Sequence, residues 1–164
     1  MQIVLYQPRI PHNTGAIARL CAATGTKLHL VGPLGFSLED KYLKRAGLDY
    51  WPYVKLNFWK NWQEYLQSLK PTDRLVMTSA RQGFSYVEHP FSMHDHLVFG
   101  PETWGLPEKI TSQAHSLIRI PIWGEVRSLN LSNAAGIILY EAYRQKGVLD
   151  SAVHLDEGTK ESKI

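Results

Sequence analysis

The stretch QIVLYQPRIPHNTGAIARLCAATGTKLHLVG, residues 2–32, decides the fold class of this chain. Its two short apolar runs, residues 2–6 and 27–32, flank a segment with helical markings, and that order is the signature of a βαβ unit. Asn13 is expected to cap the helix and Gly25 to end it. Because a βαβ unit joins parallel strands, the stretch predicts an α/β fold.

The same alternation of apolar runs and helical segments continues along the chain. It predicts a single domain over residues 1–147 with a largely parallel, six-stranded sheet flanked by helices. Residues 148–164 are polar and lack aromatic residues, so we expect them to form a loosely packed tail. The further strands are predicted at 53–56, 74–80, 96–100 and 116–122, and the further helices at 37–46, 61–69, 107–114 and 130–146.

The composition is that of an ordinary globular chain of 164 residues, with 44% hydrophobic and 20% charged residues. These values argue against a disordered or fibrous protein. The single cysteine, Cys21, cannot form an internal disulfide, and the N-terminus does not resemble a signal peptide. We therefore expect a cytoplasmic protein. The longest apolar run, residues 134–140, is far shorter than a membrane span.

The charge pattern is compatible with an RNA partner but does not require one. The net charge is only +3 at pH 7. Lys41, Lys44 and Arg45 recur at helical spacing and are expected to share one helix face. Taken alone, such a cluster is more typical of a solvated surface than of a binding site.

Polar and glycine-rich loops follow several of the predicted strands. In open parallel sheets the ligand lies at the carboxyl ends of the strands, and Gly100 and Gly105 on either side of Glu102 predict a binding loop there. No GxGxxG, P-loop or GxSxG pattern occurs. His94 and His96 have no second ligand pair, so no metal is expected.

A cluster of polar residues stands at the start of the most apolar helix. These residues, and the polar residues of the other loops, each have a simple structural explanation. Asn13 or Asn130 can cap a helix, and Glu102 can form a surface ion pair. One cap does not need a whole run of neighbouring polar residues, however, so the cluster favours a ligand site. The candidate residues along the chain are Asn13, Arg19, Glu102, Arg127, Ser128, Asn130, Ser132 and Asn133.

Three segments carry a resemblance to a known family. NTGAIAR at 13–19, VFGPETWGLP at 98–107 and IPIWGEVRSLNLSNAAGIILYEA at 120–142 resemble the three motifs of the SPOUT class of RNA methyltransferases. The likeness covers nearly all of residues 1–147 and is greatest to the TrmL (YibK-like) tRNA 2'-O-methyltransferases. It implies a deep trefoil knot near the C-terminus, a homodimer, and S-adenosylmethionine as the methyl donor, converted to S-adenosylhomocysteine. The implied target is the 2'-hydroxyl of the wobble pyrimidine, nucleotide 34, of leucine tRNAs.

The resemblance also implies roles for individual residues. Arg19 is expected to hold phosphate and stabilise the developing alkoxide, since a guanidinium is a poor base. Glu102, Asn130 and Tyr140 are candidates for orientation or proton removal. In-line methyl transfer from a sulfonium rests mainly on positioning and needs no metal. The expected cofactor-binding residues are Met77 or Thr78, Gly100, Ile120, Ser128 and Leu129.

Two departures from the family pattern leave alternatives open. Ala16 stands where relatives often have Asn, and Trp104 stands where an arginine is common. Trp104 and Trp123 either stack on an RNA base or cover the site or the dimer seam. The alternatives to the wobble-nucleotide reaction are methylation of a different tRNA or rRNA site and an RNA-binding protein with impaired catalysis. The expected partners are tRNA and a second copy of the chain, and neither DNA nor a membrane.

Overall fold

A computed structural model describes residues 1–37 and 50–152. Within these residues the chain forms one sheet of seven strands in the order β3-β2-β1-β6-β4-β7-β5. Every pairing in the sheet is parallel, which confirms the predicted fold class. The strands are β1 (Gln2–Tyr6), β2 (Lys27–Val31), β3 (Lys55–Trp59), β4 (Arg74–Thr78), β5 (Phe84–Ser85), β6 (Asp95–Phe99) and β7 (Ser116–Arg119).

Helices connect the strands and cover both faces of the sheet. None of the helices within residues 1–37 and 50–152 is long and apolar enough to cross a membrane. The described helices are α1 (Pro11–Thr24), a 3₁₀ helix (Trp51–Tyr53), α2 (Trp62–Gln67), α3 (Glu108–Thr111), α4 (Leu131–Gln145) and α5 (Val148–Ala152).

Two hydrophobic layers hold the helices against the sheet, because successive strand residues point to opposite faces. Ile3 and Leu5 of β1 pack with the buried residues of α1 and α4. Val4 and Tyr6 of the same strand pack with residues of α2 and α3 on the other face. The result is a three-layer α/β/α domain, in which the central strands are buried on both sides, as parallel strands usually are.

Helix α1 ends where the sequence predicts but begins earlier than predicted. Gly25 ends the helix with φ of 64°, as the sequence predicts. The prediction that Asn13 caps the helix is wrong, because α1 begins at Pro11, a residue favoured in the first turn. Asn13 lies inside that turn, and its side chain is free to make the tertiary contacts described below.

The predicted count of six strands is wrong, because the two-residue strand β5 adds a seventh at the edge of the sheet. β5 is too short to show strand periodicity. The strand predicted at 53–56 begins later, because Trp51–Tyr53 forms a 3₁₀ helix.

Some predictions fall on residues that the structure does not describe. The predicted helix at 37–46, with the basic face of Lys41, Lys44 and Arg45, lies almost wholly outside the described residues. Of the expected tail, Val148–Ala152 forms α5, and residues 153–164 lie outside the described range.

Candidate active site

An open cleft of about 1000 Å³ lies at the carboxyl ends of β4, β6 and β7. The loops that follow these strands form most of its wall, and residues of α3, α4 and the start of α1 complete it. Its position is the one expected for a ligand site in a parallel sheet. The predicted residues that line it are Asn13, Thr78, Gly100, Glu102, Trp104, Ile120, Arg127, Ser128, Leu129 and Asn130.

The loop after β7 supplies both apolar side chains and free backbone groups. Ile120 and Leu129 line the cleft from opposite ends of this loop. Within the described part of the chain, residues 121–129 make no backbone–backbone hydrogen bond. Their N–H and C=O groups therefore remain available to a ligand, a pattern suited to a flat aromatic group held between apolar walls and backbone polar atoms.

At the end of β4, the structure shows which of Met77 and Thr78 faces the cleft. Thr78 lines the cleft, and its hydroxyl donates to the carbonyl of Val98 at 3.1 Å. The Met77 side chain is fully buried in the hydrophobic layer on the α2 side of the sheet. Met77 therefore contributes packing beneath the cleft, and Thr78 is the residue that faces it.

Gly100 allows the loop after β6 to fold back tightly on itself. A Cβ atom at this position would lie 2.4 Å from the backbone nitrogen of Leu106 and 2.5 Å from the carbonyl carbon of Gly105. Gly105 has φ of 74°, and its N–H donates to the carbonyl of Pro101 at 2.9 Å. Glycine is thus required at position 100 by close backbone approach and favoured at 105 by backbone conformation.

The carboxylate of Glu102 binds the segment that begins α1. It accepts hydrogen bonds from the backbone N–H groups of Arg9 at 2.9 Å and Ile10 at 3.2 Å. A third bond comes from the side-chain amide of Asn13, at 3.2 Å. A carboxylate is favourable here because the first N–H groups of a helix lack partners and carry partial positive charge.

Asn130 extends this hydrogen-bonded chain to the start of α4. Its side-chain amide donates to the side-chain oxygen of Asn13 at 3.0 Å. Its own side-chain oxygen accepts from the N–H of Ser132 at 2.9 Å, which makes Asn130 the N-cap of α4. Asn13 is only 4% exposed, so this central amide is buried with both ends satisfied.

Positive charge and exposed aromatic rings lie at the mouth of the cleft. Arg81, Arg119 and Arg127 line it. Trp104 is 59% exposed, and the guanidinium of Arg9 lies 5.3 Å from the centre of its ring. The sequence singled out Arg127 and Trp104. Arg9, Arg81 and Arg119 gave no motif signal, although each stands in or next to a loop expected at this edge.

Arg19 and Tyr140 are not brought into the cleft. The guanidinium of Arg19, on α1, lies 5.6 Å from the ring centre of Tyr50. Tyr140 is 47% exposed and shares an exposed stripe of α4 with Asn133 and Ile137. The four predicted catalytic residues therefore separate into a pair at the cleft, Glu102 and Asn130, and a pair on the surface of the helix layer.

A largely buried polar chain links side chains of β1, β2, β3 and β6 with Tyr65 of α2. The indole N–H of Trp59 donates to His29 Nδ1 at 3.0 Å, so His29 Nε2 carries a proton and donates to Gln2 at 2.6 Å. The chain continues from Gln2 to His96 and from His96 to the hydroxyl of Tyr65. Burial lowers the pKa of His29 to about 4 and also lowers that of His96.

These histidines have structural partners. Within residues 1–37 and 50–152, no group of three His, Cys, Asp or Glu residues could hold a metal ion. Of the pair noted in the sequence, His94 is exposed and His96 is buried in the chain just described.

Comparison with known proteins gives consistent matches over most of the chain. Residues 1–140 match the model of the SpoU rRNA Methylase family. A tRNA (cytidine(34)-2'-O)-methyltransferase of Methylovorus glucosotrophus is 52% identical over 145 residues, which is 87% of this chain and 94% of the relative.

Solved structures agree with this match. A structure from work on the 2-OH methylation of C/U34 on tRNA superposes with a TM-score of 0.86 and 48% identity, over 90% of this chain and 96% of that one. The SpoU methyltransferase AviRb from Streptomyces viridochromogenes, in complex with AdoMet, gives a TM-score of 0.81 at 25% identity. The match to AviRb covers 89% of this chain and 57% of that one.

Proposed function

Because this chain belongs to the SpoU rRNA methylase family, we propose that it is an S-adenosylmethionine-dependent tRNA 2'-O-methyltransferase acting on the wobble pyrimidine, nucleotide 34. The observation that carries the proposal is 52% identity, over 94% of the relative's length, to a tRNA (cytidine(34)-2'-O)-methyltransferase. The cleft formed by the loops after β4, β6 and β7 provides a site for this chemistry.

The residues of the cleft fit the cofactor. Ile120 and Leu129 offer apolar walls for the adenine, and the free backbone groups of residues 121–129 offer donors and acceptors. Thr78, Gly100 and Ser128 stand around the same space. When bound, S-adenosylmethionine would supply an electrophilic methyl group on a positively charged sulfur. The chain's task is then to orient the ribose hydroxyl in line and to aid loss of its proton.

Glu102 and Asn130 serve in this proposal as positioning residues. Glu102 is bonded to two backbone N–H groups and to Asn13, and Asn130 is bonded to Asn13 and Ser132. These contacts join three segments around the cleft. They support a role in holding its shape more than a role in accepting the proton of the substrate.

The positions of Arg19 and Tyr140 support a homodimer. Both residues lie outside the cleft of their own chain, and Tyr140 and Ile137 expose apolar surface on α4. We propose that this helix face meets a second copy and that the partner's cleft receives Arg19. A guanidinium there would bind phosphate and stabilise the developing alkoxide.

Three finer points belong to the same proposal. Leucine tRNAs are the proposed substrates, on the family resemblance of the three motifs. The trefoil knot is proposed on the same ground, and the seven-stranded parallel sheet is compatible with it. The proposed location is the cytoplasm, where a tRNA substrate is available.

Incubation of the protein with labelled S-adenosylmethionine and total tRNA, followed by nucleoside mass spectrometry, tests the function. We expect 2'-O-methylcytidine or 2'-O-methyluridine at nucleotide 34 of leucine tRNAs. Label on a base, label confined to rRNA in a parallel reaction, or binding of the cofactor without transfer would each contradict the proposal.

A further inference from the structure

Trp104 and Arg9 form a stacked pair at the rim of the cleft. The guanidinium carbon of Arg9 lies 5.3 Å from the centre of the Trp104 ring. The indole is 59% exposed although it lines the cleft. A large aromatic side chain that is exposed at the mouth of a site offers a flat apolar surface to a ligand.

The loop that carries Trp104 is held on both sides of the ring. After it, the N–H of Gly105 bonds to the carbonyl of Pro101, and the tight approach of Gly100 to Gly105 leaves no space for a side chain at position 100. Before it, Glu102 is anchored to the backbone of Arg9 and Ile10. The backbone that carries Trp104 is therefore held in place, and the ring itself contacts the guanidinium of Arg9.

Arg9 is held in a similar way. Its backbone N–H donates to Glu102 at 2.9 Å. A Cβ atom at Gly35 would lie 2.8 Å from Arg9 Cα and 3.0 Å from its Cδ, so the arginine stem packs directly on that glycine. The N–H of Gly35 donates to the carbonyl of Pro8 at 2.9 Å, which fixes the two loops together.

The charge around this pair suits a nucleic acid. Arg81, Arg119 and Arg127 line the same cleft, and Arg9 adds a fourth guanidinium at its rim. These four groups outnumber the two carboxylates of the cleft, Glu102 and Glu108. A base stacks on an aromatic ring whatever its sequence, and an adjacent arginine can bind the phosphate of the same strand. The bases of an RNA loop are unpaired and can turn out to meet such a surface.

We propose that Trp104, supported by Arg9, is a stacking platform for an unpaired base of the RNA substrate, at or next to the methylated nucleotide, and that Arg9 contacts the adjoining phosphate. The proposal rests on the proposed function, because a ribose held in the cleft brings its own base or a neighbouring one to this rim. It assigns to Trp104 a contact that determines RNA affinity and takes no part in binding the cofactor.

The test compares Trp104→Ala, Trp104→Phe and Arg9→Gln with wild type, using an unmodified leucine tRNA transcript. The control is Phe58→Ala, which removes an exposed aromatic ring from the edge strand β3, outside the cleft. The Kd for tRNA is measured by fluorescence anisotropy, the Kd for S-adenosylmethionine by calorimetry, and the molar mass by light scattering.

Trp104→Ala is expected to weaken tRNA binding by about 5- to 150-fold, with cofactor affinity and molar mass unchanged. Trp104→Phe should retain most of the affinity, and Phe58→Ala all of it. Arg9→Gln should make the negative slope of log K against log salt shallower by about 0.7 to 0.9. Unchanged tRNA affinity in Trp104→Ala overturns the proposal. Loss of cofactor affinity or a change in molar mass also overturns it, since the indole would then cover the cofactor or a subunit interface.

Abasic anticodon stem-loops locate the stacked base. The base at nucleotide 33, 34 or 35 is removed in turn. At one of these positions, removal should weaken binding to the wild-type protein but leave binding to Trp104→Ala unchanged. Equal losses for both proteins at all three positions would contradict base stacking. The activity assay separates the proposal on stacking from the proposed function. If the wild-type protein methylates tRNA and Trp104→Ala binds tRNA equally well, only the stacking proposal is refuted. If the wild-type protein binds tRNA without methylating it, only the proposed function is refuted.

Discussion

The side-chain amide of Asn13 donates a hydrogen bond to Glu102 at 3.2 Å, across 89 positions of sequence. Through this bond and the contact of Asn13 with Asn130, the start of α1, the loop after β6 and the start of α4 are held together. Asn13 is buried, so each of its bonds is costly to lose. The shape of the cleft therefore depends on residues that need not touch a substrate.

Glu102→Gln should disturb this arrangement. An amide can accept with only one atom, so its NH₂ group would face the N–H of Arg9 or those of Ile10 and Asn13. We expect a stability loss of about 1 kcal/mol and, since small misplacements are costly in catalysis, a fall in kcat of roughly 100-fold. Urea unfolding and a methyl-transfer assay measure the two effects. The control is Glu108→Gln, which changes an exposed carboxylate lining the same cleft; equal losses in both variants would contradict the prediction.

Gly100→Ala should abolish binding of the cofactor. The added Cβ would lie 2.4 Å from the nitrogen of Leu106, so the loop after β6 must open. Gly25→Ala is a suitable control, because a Cβ at Gly25 would meet no atom within 4 Å and this glycine ends α1, outside the cleft; its cost is the strain of a left-handed backbone. Calorimetric titration with S-adenosylmethionine should show no binding for the first variant and normal binding for the second. Normal affinity in Gly100→Ala would show that this loop is not part of the cofactor site.

Arg19→Ala should remove turnover and retain cofactor binding. The side chain lies outside the cleft of its own chain and contacts Tyr50, so its loss is expected to cost less than about 1 kcal/mol of stability. If the partner's cleft receives it, kcat should fall by roughly 100-fold or more. Arg19→Lys tests the need for a planar guanidinium and should restore little activity. Loss of cofactor affinity in Arg19→Ala would contradict the catalytic role proposed for Arg19.

Stability should fall in acid because of His29. Burial lowers its pKa from about 6.5 to about 4, so between these values the unfolded chain binds a proton that the folded chain does not. The free energy of unfolding should therefore decrease as the pH falls from about 6.5 to about 4, by on the order of 3 kcal/mol from this group. Urea unfolding at a series of pH values measures the change.

Nuclear magnetic resonance of the imidazole nitrogens isolates the contribution of His29. The ring should remain neutral, with the proton on Nε2, at pH 5, as its bonds to Trp59 and Gln2 require. A protonated His29 at pH 6 would refute this account of acid stability.

The βαβ unit could be predicted from the sequence because its signals are local and strong. The apolar runs at 2–6 and 27–32 correspond to β1 and β2 almost residue for residue, and Gly25 ends α1 as expected. The local pattern assigns Asn13 the wrong role, because a polar residue near a helix start usually acts as a cap. Its actual partners, Glu102 and Asn130, are distant in sequence, and no local pattern reveals them.

The candidate site was only partly predictable for the same reason. Its loops follow from the rule that ligands lie at the carboxyl ends of parallel strands. Thr78 could not be separated from Met77 until the face of β4 was known. Arg9 and Trp104 become a pair only when the segment before α1 meets the loop after β6. Such pairings belong to the tertiary structure and leave no periodic trace.

The central pairing of the sheet has a consequence for synthesis on the ribosome. β1 lies between β2 and β6, and residues 2–5 pair with residues 96–99. The nascent chain can pair β1 with β2 early, but the other edge of β1 stays open until β6 emerges. At typical elongation rates, the interval between the synthesis of β1 and that of β6 is about 5 to 20 seconds. During translation that open edge is a site where another unfinished chain, or a chaperone, can bind.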